Sequence, residues 1–317
     1  MRAGADCGTL PGMPTPTAAA LAALLLQAAS QTPPPAAAAP APAAAPPAAP
    51  TPADPLSEDW VTIPDDEMLI LTLARGGTVA IRLAAPYAPV HVANIRRLAA
   101  ARWWDAGASV YRVQDNYVAQ WGDATEKKPL PADVVANPPP EYERAGASAV
   151  ARLGRRDPYA DWAGFSRDGW PLAGNFQTEW LPHCYGMVGV ARDLAPSTGS
   201  GAELYAVIGH GPRALDRNVA IVGRVVDGIE RLSSLPRGTG DLGFYVGEGE
   251  RAPIASARLA SDLPEAGRPR FQYRRSDNPR FTAWIAGREN RQPPFFVVPA
   301  GGADICNAMP PVRRVPG

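Results

Sequence analysis

Few side chains in this sequence are suited to covalent or metal chemistry. The three histidines (His91, His183, His210) and three cysteines (Cys7, Cys184, Cys306) are scattered, with no HExxH pair and no paired-cysteine zinc spacing. His183-Cys184 is the only adjacent pair, and neighbours in sequence seldom converge on one ion, so no metal or other cofactor is expected. There is no Walker loop and no GxSxG; Gly238 to Gly243 matches GxGxxG but follows a helix-like segment and opens no helix, which makes it a loop. Of the polar side chains on the β-rich runs, Arg112 lies in Ser109 to Val113 and Gln120 in Tyr117 to Trp121, either side of the polar turn Gln114-Asp115-Asn116. An arginine offers permanent charge and several N–H donors in a rigid fork, so its chemistry is to hold or stabilise a developing acceptor rather than to make bonds. On an alternating strand, taken without its surrounding motif, the same residue is more often an ordinary solvated or ion-paired side chain.

Short β-rich runs must position these residues. Met68 to Leu73 and Val79 to Leu83 flank Arg75-Gly76-Gly77-Thr78, a hairpin signal. Ala88 to Ala101 spaces Val92, Ile95, Leu98 and Ala99 on one helical face, and further strands are predicted at Ser109 to Val113 and Tyr117 to Trp121. An irregular, aromatic-rich stretch of about 124–182 follows, of a length that is usually functional or forms small structures of its own. Strands resume at Tyr185 to Ala191, Glu203 to Ile208 and Val219 to Val225, followed by a short helix over Gly228 to Leu235 and a strand around Ile254 to Leu259. Many short strands, two helices and no βαβ rhythm predict a mainly β, closed antiparallel barrel or a sandwich.

The flanks read differently. Residues 1–30 contain a twelve-residue apolar run, Ala18 to Ala29, too short to span a bilayer but suited to a secretory signal, with small residues at Ala28-Ala29-Ser30. The alternative is an Ala-rich tether in a protein that stays in the cytosol. Residues 31–57 are almost wholly Pro and Ala, a semi-stiff spacer unable to bury a core. Residues 264–317 carry nine Arg against four acidic residues with little regular patterning. Overall, 31 basic residues balance 31 acidic ones, so no global field draws the chain to nucleic acid, and no transmembrane anchor is expected. Export, to a bacterial periplasm, would remove Cys7 and leave Cys184 and Cys306 as an even pair. They then either bridge, closing a loop of about 120 residues and pinning the tail, or remain two thiols that never meet.

The segment Val110 to Asp123 resembles the active-site segment of the cyclophilin family of peptidyl-prolyl isomerases. In this chain Tyr117 stands five and Gln120 eight residues after Arg112, with Gly122-Asp123 closing the motif. YGMVGVARD from Tyr185 is similar to the family's central strand, GSGAELYAVIG from Gly199 to its Gly-Ser-Gln-Phe-Phe strand, and Ala214 to Leu232 to its Leu-Asp turn, Phe-Gly-Lys-Val strand and helix. The matches run in order over about 190 residues and imply a cyclophilin-like closed antiparallel β-barrel with two flanking helices over residues 58–263. They also imply activity on X-Pro bonds of proline-containing polypeptides.

That reaction needs little chemistry. Rotation about an amide is opposed by about 18–20 kcal/mol of lost resonance, and twisting frees a lone pair on the prolyl nitrogen. A catalyst needs an apolar slot for the ring and a fixed donor that interacts more strongly with the twisted state. By resemblance Arg112 is the donor, Gln120 orients the substrate carbonyl, and Tyr117, Val118, Tyr205 and Leu215 line the slot. Several positions depart from the family. Tyr111 replaces its His, Trp121 its first motif Gly, Gly189 a substrate-binding Asn, and Ala214 a Trp, while the slot His falls on Val219 or Asn218. The losses leave a catalytically weak or silent binding module as the alternative function.

Overall fold

Gly76 and Gly77, both at positive φ, reverse the chain between Met68–Leu73 (β1) and Thr78–Leu83 (β2), which pair antiparallel from Met68 opposite Arg82 to Thr72 opposite Thr78. The structure, a computed structural model, describes residues 55–315, so the signal-like segment and nearly all of the Pro/Ala spacer lie outside the described residues. Six further strands join the hairpin: Ser109–Val113 (β3), Val118–Gly122 (β4), Met187–Val190 (β5), Leu204–Val207 (β6), Ile221–Asp227 (β7) and Ala252–Leu259 (β8). They form a closed antiparallel barrel in the order β5-β6-β4-β3-β8-β1-β2-β7, with β7 pairing back onto β5. The fold is therefore the mainly β closed barrel expected from the sequence.

Inward residues of alternate positions, among them Leu69, Leu71, Val79, Ile81, Val188, Leu204 and Val222, fill the barrel and meet Val92, Ile95 and Leu98 of helix Pro89–Ala100 (α1). Trp121 points into this core at 1% exposure, so the bulky ring that replaces the family's Gly packs inside. The second helix, Glu230–Ser233 (α2), is shorter than predicted at both ends, and the positive φ of Gly228 accounts for its later start.

The 124–182 stretch is not irregular throughout. Arg144–Ala145, Thr178–Trp180, Pro171–Gly174, Trp162–Phe165 and Ala151–Arg152 form a five-stranded sheet in that spatial order. Its lead-in segment also completes α1, whose N-cap, Ala88, has no side-chain acceptor. Glu141 takes that role, accepting from the backbone N–H of Val90 and His91 at 2.8 and 3.0 Å.

The Arg-rich C-terminal stretch contains a helix that periodicity missed, Pro279–Glu289 (α3), and two strands, Phe271–Arg274 and Val312–Arg314, which join Trp60–Thr62 in a third sheet. Phe281 of α3 packs edge-on against Phe165 of the insertion, with ring centroids 5.3 Å apart. Arg82 on the outer face of β2 is held between Trp170 of the insertion and Tyr273 of the tail, at 4.6 and 4.2 Å from the ring centres, and pairs with Asp168. Cys184 and Cys306 form a disulfide with Cα atoms 4.9 Å apart, across 122 residues of sequence.

Candidate active site

β3 and β4 carry the motif, and their pairing is irregular at its centre. Val110 faces Trp121, but Arg112, not Tyr111, faces Gln120. Tyr111 is thus the extra residue of a β-bulge, which re-aims the side chains next to it. The inward residues Val110 and Val113 are three positions apart instead of two, and both Tyr111 and Arg112 reach the same outer groove.

That groove has a volume of about 780 Å³. Arg112, Gln120, Tyr117, Val118, Tyr205 and Leu215 all line it. Val118 and Tyr205 are buried and Tyr117 and Leu215 half-buried, which makes an apolar wall, and Val219 adds to it. Asn218, the other position matched to the slot His, is exposed and does not face the groove.

Arg112 is pinned from three sides. Its Nε donates to the carbonyl of Leu242 at 2.8 Å, Nη1 to Gln120 Oε1 at 3.1 Å, and Nη2 to Gln114 Oε1. The guanidinium carbon lies 5.7 Å from the ring centre of Tyr117 and 5.1 Å from that of Phe244. Burial lowers the basicity of the group, but an arginine stays charged at any physiological pH. Gln120 Nε2 donates to the Tyr111 hydroxyl at 2.6 Å, Tyr111 donates to Glu203 Oε2 at 2.7 Å, and Glu203 Oε1 accepts the backbone N–H of Asp123 at 2.7 Å.

Behind the slot lies a second, buried chain. The Tyr205 hydroxyl meets His183 Nε2 at 2.9 Å, His183 Nδ1 meets Asp216 Oδ1 at 3.0 Å, and Arg213 bridges Asp216 to Asp157. Burial raises the Tyr205 phenol well above its ordinary range. Burial also opposes ionisation of Asp216, but hydrogen bonds from His183 and the charge of Arg213 outweigh it and hold the carboxyl below the usual value. In the tautomer that donates from Nδ1–H to that carboxylate, Nε2 accepts from Tyr205, and the contact holds the phenol in place.

A fixed cationic fork beside an apolar wall in a barrel of this topology is the arrangement the sequence motif implied, and comparison with known proteins decides the family. Residues 68–255 match the model of the family described as cyclophilin type peptidyl-prolyl cis-trans isomerase/CLD. The chain belongs to this family. Among solved structures, the cyclophilin AquaCyp293 from Hirschia baltica superposes with a TM-score of 0.63 at 26% identity, over 81% of this chain and 94% of that one. Two curated relatives, each called a probable peptidyl-prolyl cis-trans isomerase, come from Brucella suis biovar 1 (strain 1330) and Brucella melitensis biotype 1 (strain ATCC 23456 / CCUG 17765 / NCTC 10094 / 16M). Each is 25% identical over 178 residues, 55% of this chain and 74% of the relative.

Within this cyclophilin domain the departures acquire physical reasons. Gly189 faces Tyr205 across the β5–β6 pair, and a Cβ at Gly189 would lie 2.3 Å from the Tyr205 hydroxyl. The phenol, locked by His183, occupies the space that an Asn side chain at 189 would need. His183 and Cys184 do converge on nothing common: the first anchors Tyr205 and the second bridges to the tail. Sequence reasoning missed Glu203, Gln114, Phe244 and the His183–Asp216 pair. For Glu203 a signal existed, because a residue two before Tyr205 on an alternating strand shares its face.

Proposed function

We propose that this cyclophilin isomerises X-Pro bonds in exported polypeptides and assists their folding in a bacterial periplasm. The arrangement of Arg112 carries the catalytic part of the reading. Its fork is held beside the Tyr117, Val118, Tyr205 and Leu215 wall, where a proline ring seated in the slot would present its nitrogen to the remaining N–H donors. Rotation itself needs no proton transfer, so a fixed donor and a ring-sized slot suffice.

Two features support export. The apolar run Ala18 to Ala29 has the length of a signal core, and the Cys184–Cys306 disulfide suits an oxidising compartment. N-terminal sequencing of native material from a fractionated bacterial host tests this: a mature start near Gln31 in the periplasmic fraction is expected, and an intact Met1 or Met13 with free thiols overturns it. Turnover is tested separately on the purified protein by protease-free relaxation of a cis X-Pro peptide. Peptide binding without acceleration would make the domain a holding module instead.

A further inference from the structure

We propose that Glu203 is a positioning residue for isomerisation, an acceptor-only terminus that sets the direction of the hydrogen-bond chain running through Tyr111 and Gln120 to Arg112. This rests on the reading of Arg112 and Gln120 given above and extends it to a groove residue whose carboxylate bonds Tyr111 and the Asp123 N–H rather than the guanidinium.

An ionised carboxylate accepts only, so both of its engaged oxygens require donors, and they have them in Asp123 N–H and Tyr111 O–H. With its proton committed to Glu203, the Tyr111 oxygen is left as an acceptor, and it takes the amide N–H of Gln120. The Gln120 amide is thereby turned so that its carbonyl faces Arg112 Nη1. Were Glu203 to become a donor, the Tyr111 hydroxyl would reverse and favour the carbonyl of Gln120. The amide would then flip its NH₂ toward a guanidinium that has nothing to accept with. Arg112 would lose one of the three acceptors that pin it.

The backbone is shaped around this carboxylate. Gly122, at φ +152°, lies against it, and a Cβ there would fall 1.9 Å from Glu203 Oε2, so only glycine leaves the room. The β-bulge that makes Tyr111 an extra residue is what brings its hydroxyl to the same side as Arg112. Burial, reinforced by Asp123 and Glu126, pushes the Glu203 carboxyl up to about 7 against the hydrogen bonds from Tyr111 and Asp123. The other charged groups on the same groove wall are Lys128, Arg192, Asp193 and Arg112 itself. A protonated Glu203 is a donor, so the direction of the chain is sensitive to pH in a range near neutrality.

The test is kcat/KM for a cis X-Pro peptide, followed from about pH 5.5 to about pH 8.5, in wild type, Glu203→Gln, Tyr111→Phe, the double variant and Arg112→Ala. Wild-type kcat/KM should rise through a midpoint near 7 as the carboxylate ionises. Glu203→Gln presents an N–H to Tyr111 and should run flat at about one tenth of the wild-type alkaline value, the effect of one positioning hydrogen bond. Adding it to Tyr111→Phe should cause no further loss, because the chain is already cut. A Glu203→Gln variant with the wild-type profile, or losses that multiply in the double variant, overturns the proposal. If Arg112→Ala keeps full turnover, the underlying reading of the site fails instead. The side-chain amide signals of ¹⁵N-labelled Gln120 then still decide the relay. Signals that titrate near neutrality in wild type but not in Glu203→Gln support it, and signals that behave alike in both overturn it.

Discussion

Truncating Arg112 to alanine is the most direct challenge to the site. A guanidinium has five N–H groups. The chain engages three of them, on Nε, Nη1 and Nη2, through Leu242, Gln120 and Gln114. Nη1 and Nη2 each keep one more, so two donors remain for a substrate, on a fork whose rotamer is already set and which loses little entropy on binding. Removing a charge-assisted donor from a partly desolvated groove costs about 3–4 kcal/mol of transition-state stabilisation, or roughly 10²–10³ in kcat/KM. The loss should fall mainly on kcat, because the planar peptide offers the donor little that the twisted one does not improve. Arg112→Lys should recover only a small part, since one ammonium cannot reach the Leu242 carbonyl, Gln120 and Gln114 together. Protease-free relaxation of a cis X-Pro peptide, monitored by exchange spectroscopy with the melting temperature as control, measures both variants. Turnover within about threefold of wild type by a folded Arg112→Ala protein would refute the donor assignment.

Other consequences are smaller but specific. Gly189→Ala should force the Tyr205 hydroxyl off His183, lowering stability by about 1–3 kcal/mol in denaturant titration and raising KM, because the slot wall moves. Replacing Cys184 and Cys306 by Ala together should lower unfolding free energy by up to about 4–5 kcal/mol, the chain-entropy ceiling for a loop of this size; an unchanged denaturant midpoint would mean the tail is held by packing alone. Glu203 should shape stability against pH in a known direction. Its folded value is raised to about 7 from an ordinary 4.5, so the neutral acid is favoured by folding and the contribution fades as pH climbs through that window. Glu203→Gln should therefore melt higher than wild type near pH 8 and converge with it toward pH 5, as calorimetry at several pH values would show.

How much of this was legible depended on length and regularity. The β1–β2 hairpin announced itself through Gly76-Gly77 between two β-rich runs, and α1 through its apolar face. The five strands of the insertion are two to four residues long, too short for an alternation to be read. α3 buries few large apolar residues, chiefly Phe281 and Ile285, so its periodicity is faint. Its start was nonetheless written in Asn278-Pro279, whose Asn side chain accepts from Phe281 N–H at 2.9 Å. At the site, strict alternation assigns Tyr111 and Arg112 to opposite faces. The bulge breaks that rule, and no local residue signals it. The Tyr205–His183–Asp216 chain joins strands and turns distant in sequence, so only the closed barrel reveals it.

The bond between Cys184 and Cys306 also has a timetable. A ribosome adding about 5–20 residues per second delivers the second sulfur some 122 residues after the first, an interval of roughly 6 to 25 seconds. Strands β1 to β4 precede Cys184 and β5 to β8 are made within that interval, while Cys184 waits as an unmatched thiol. Cys7 precedes both in the order of synthesis, so a chain that kept residues 1–30 would offer Cys184 a competing partner. Were those residues removed early, as the proposed export requires, a single pairing would remain, and the crosslink would close only on chains whose tail has arrived and folded back.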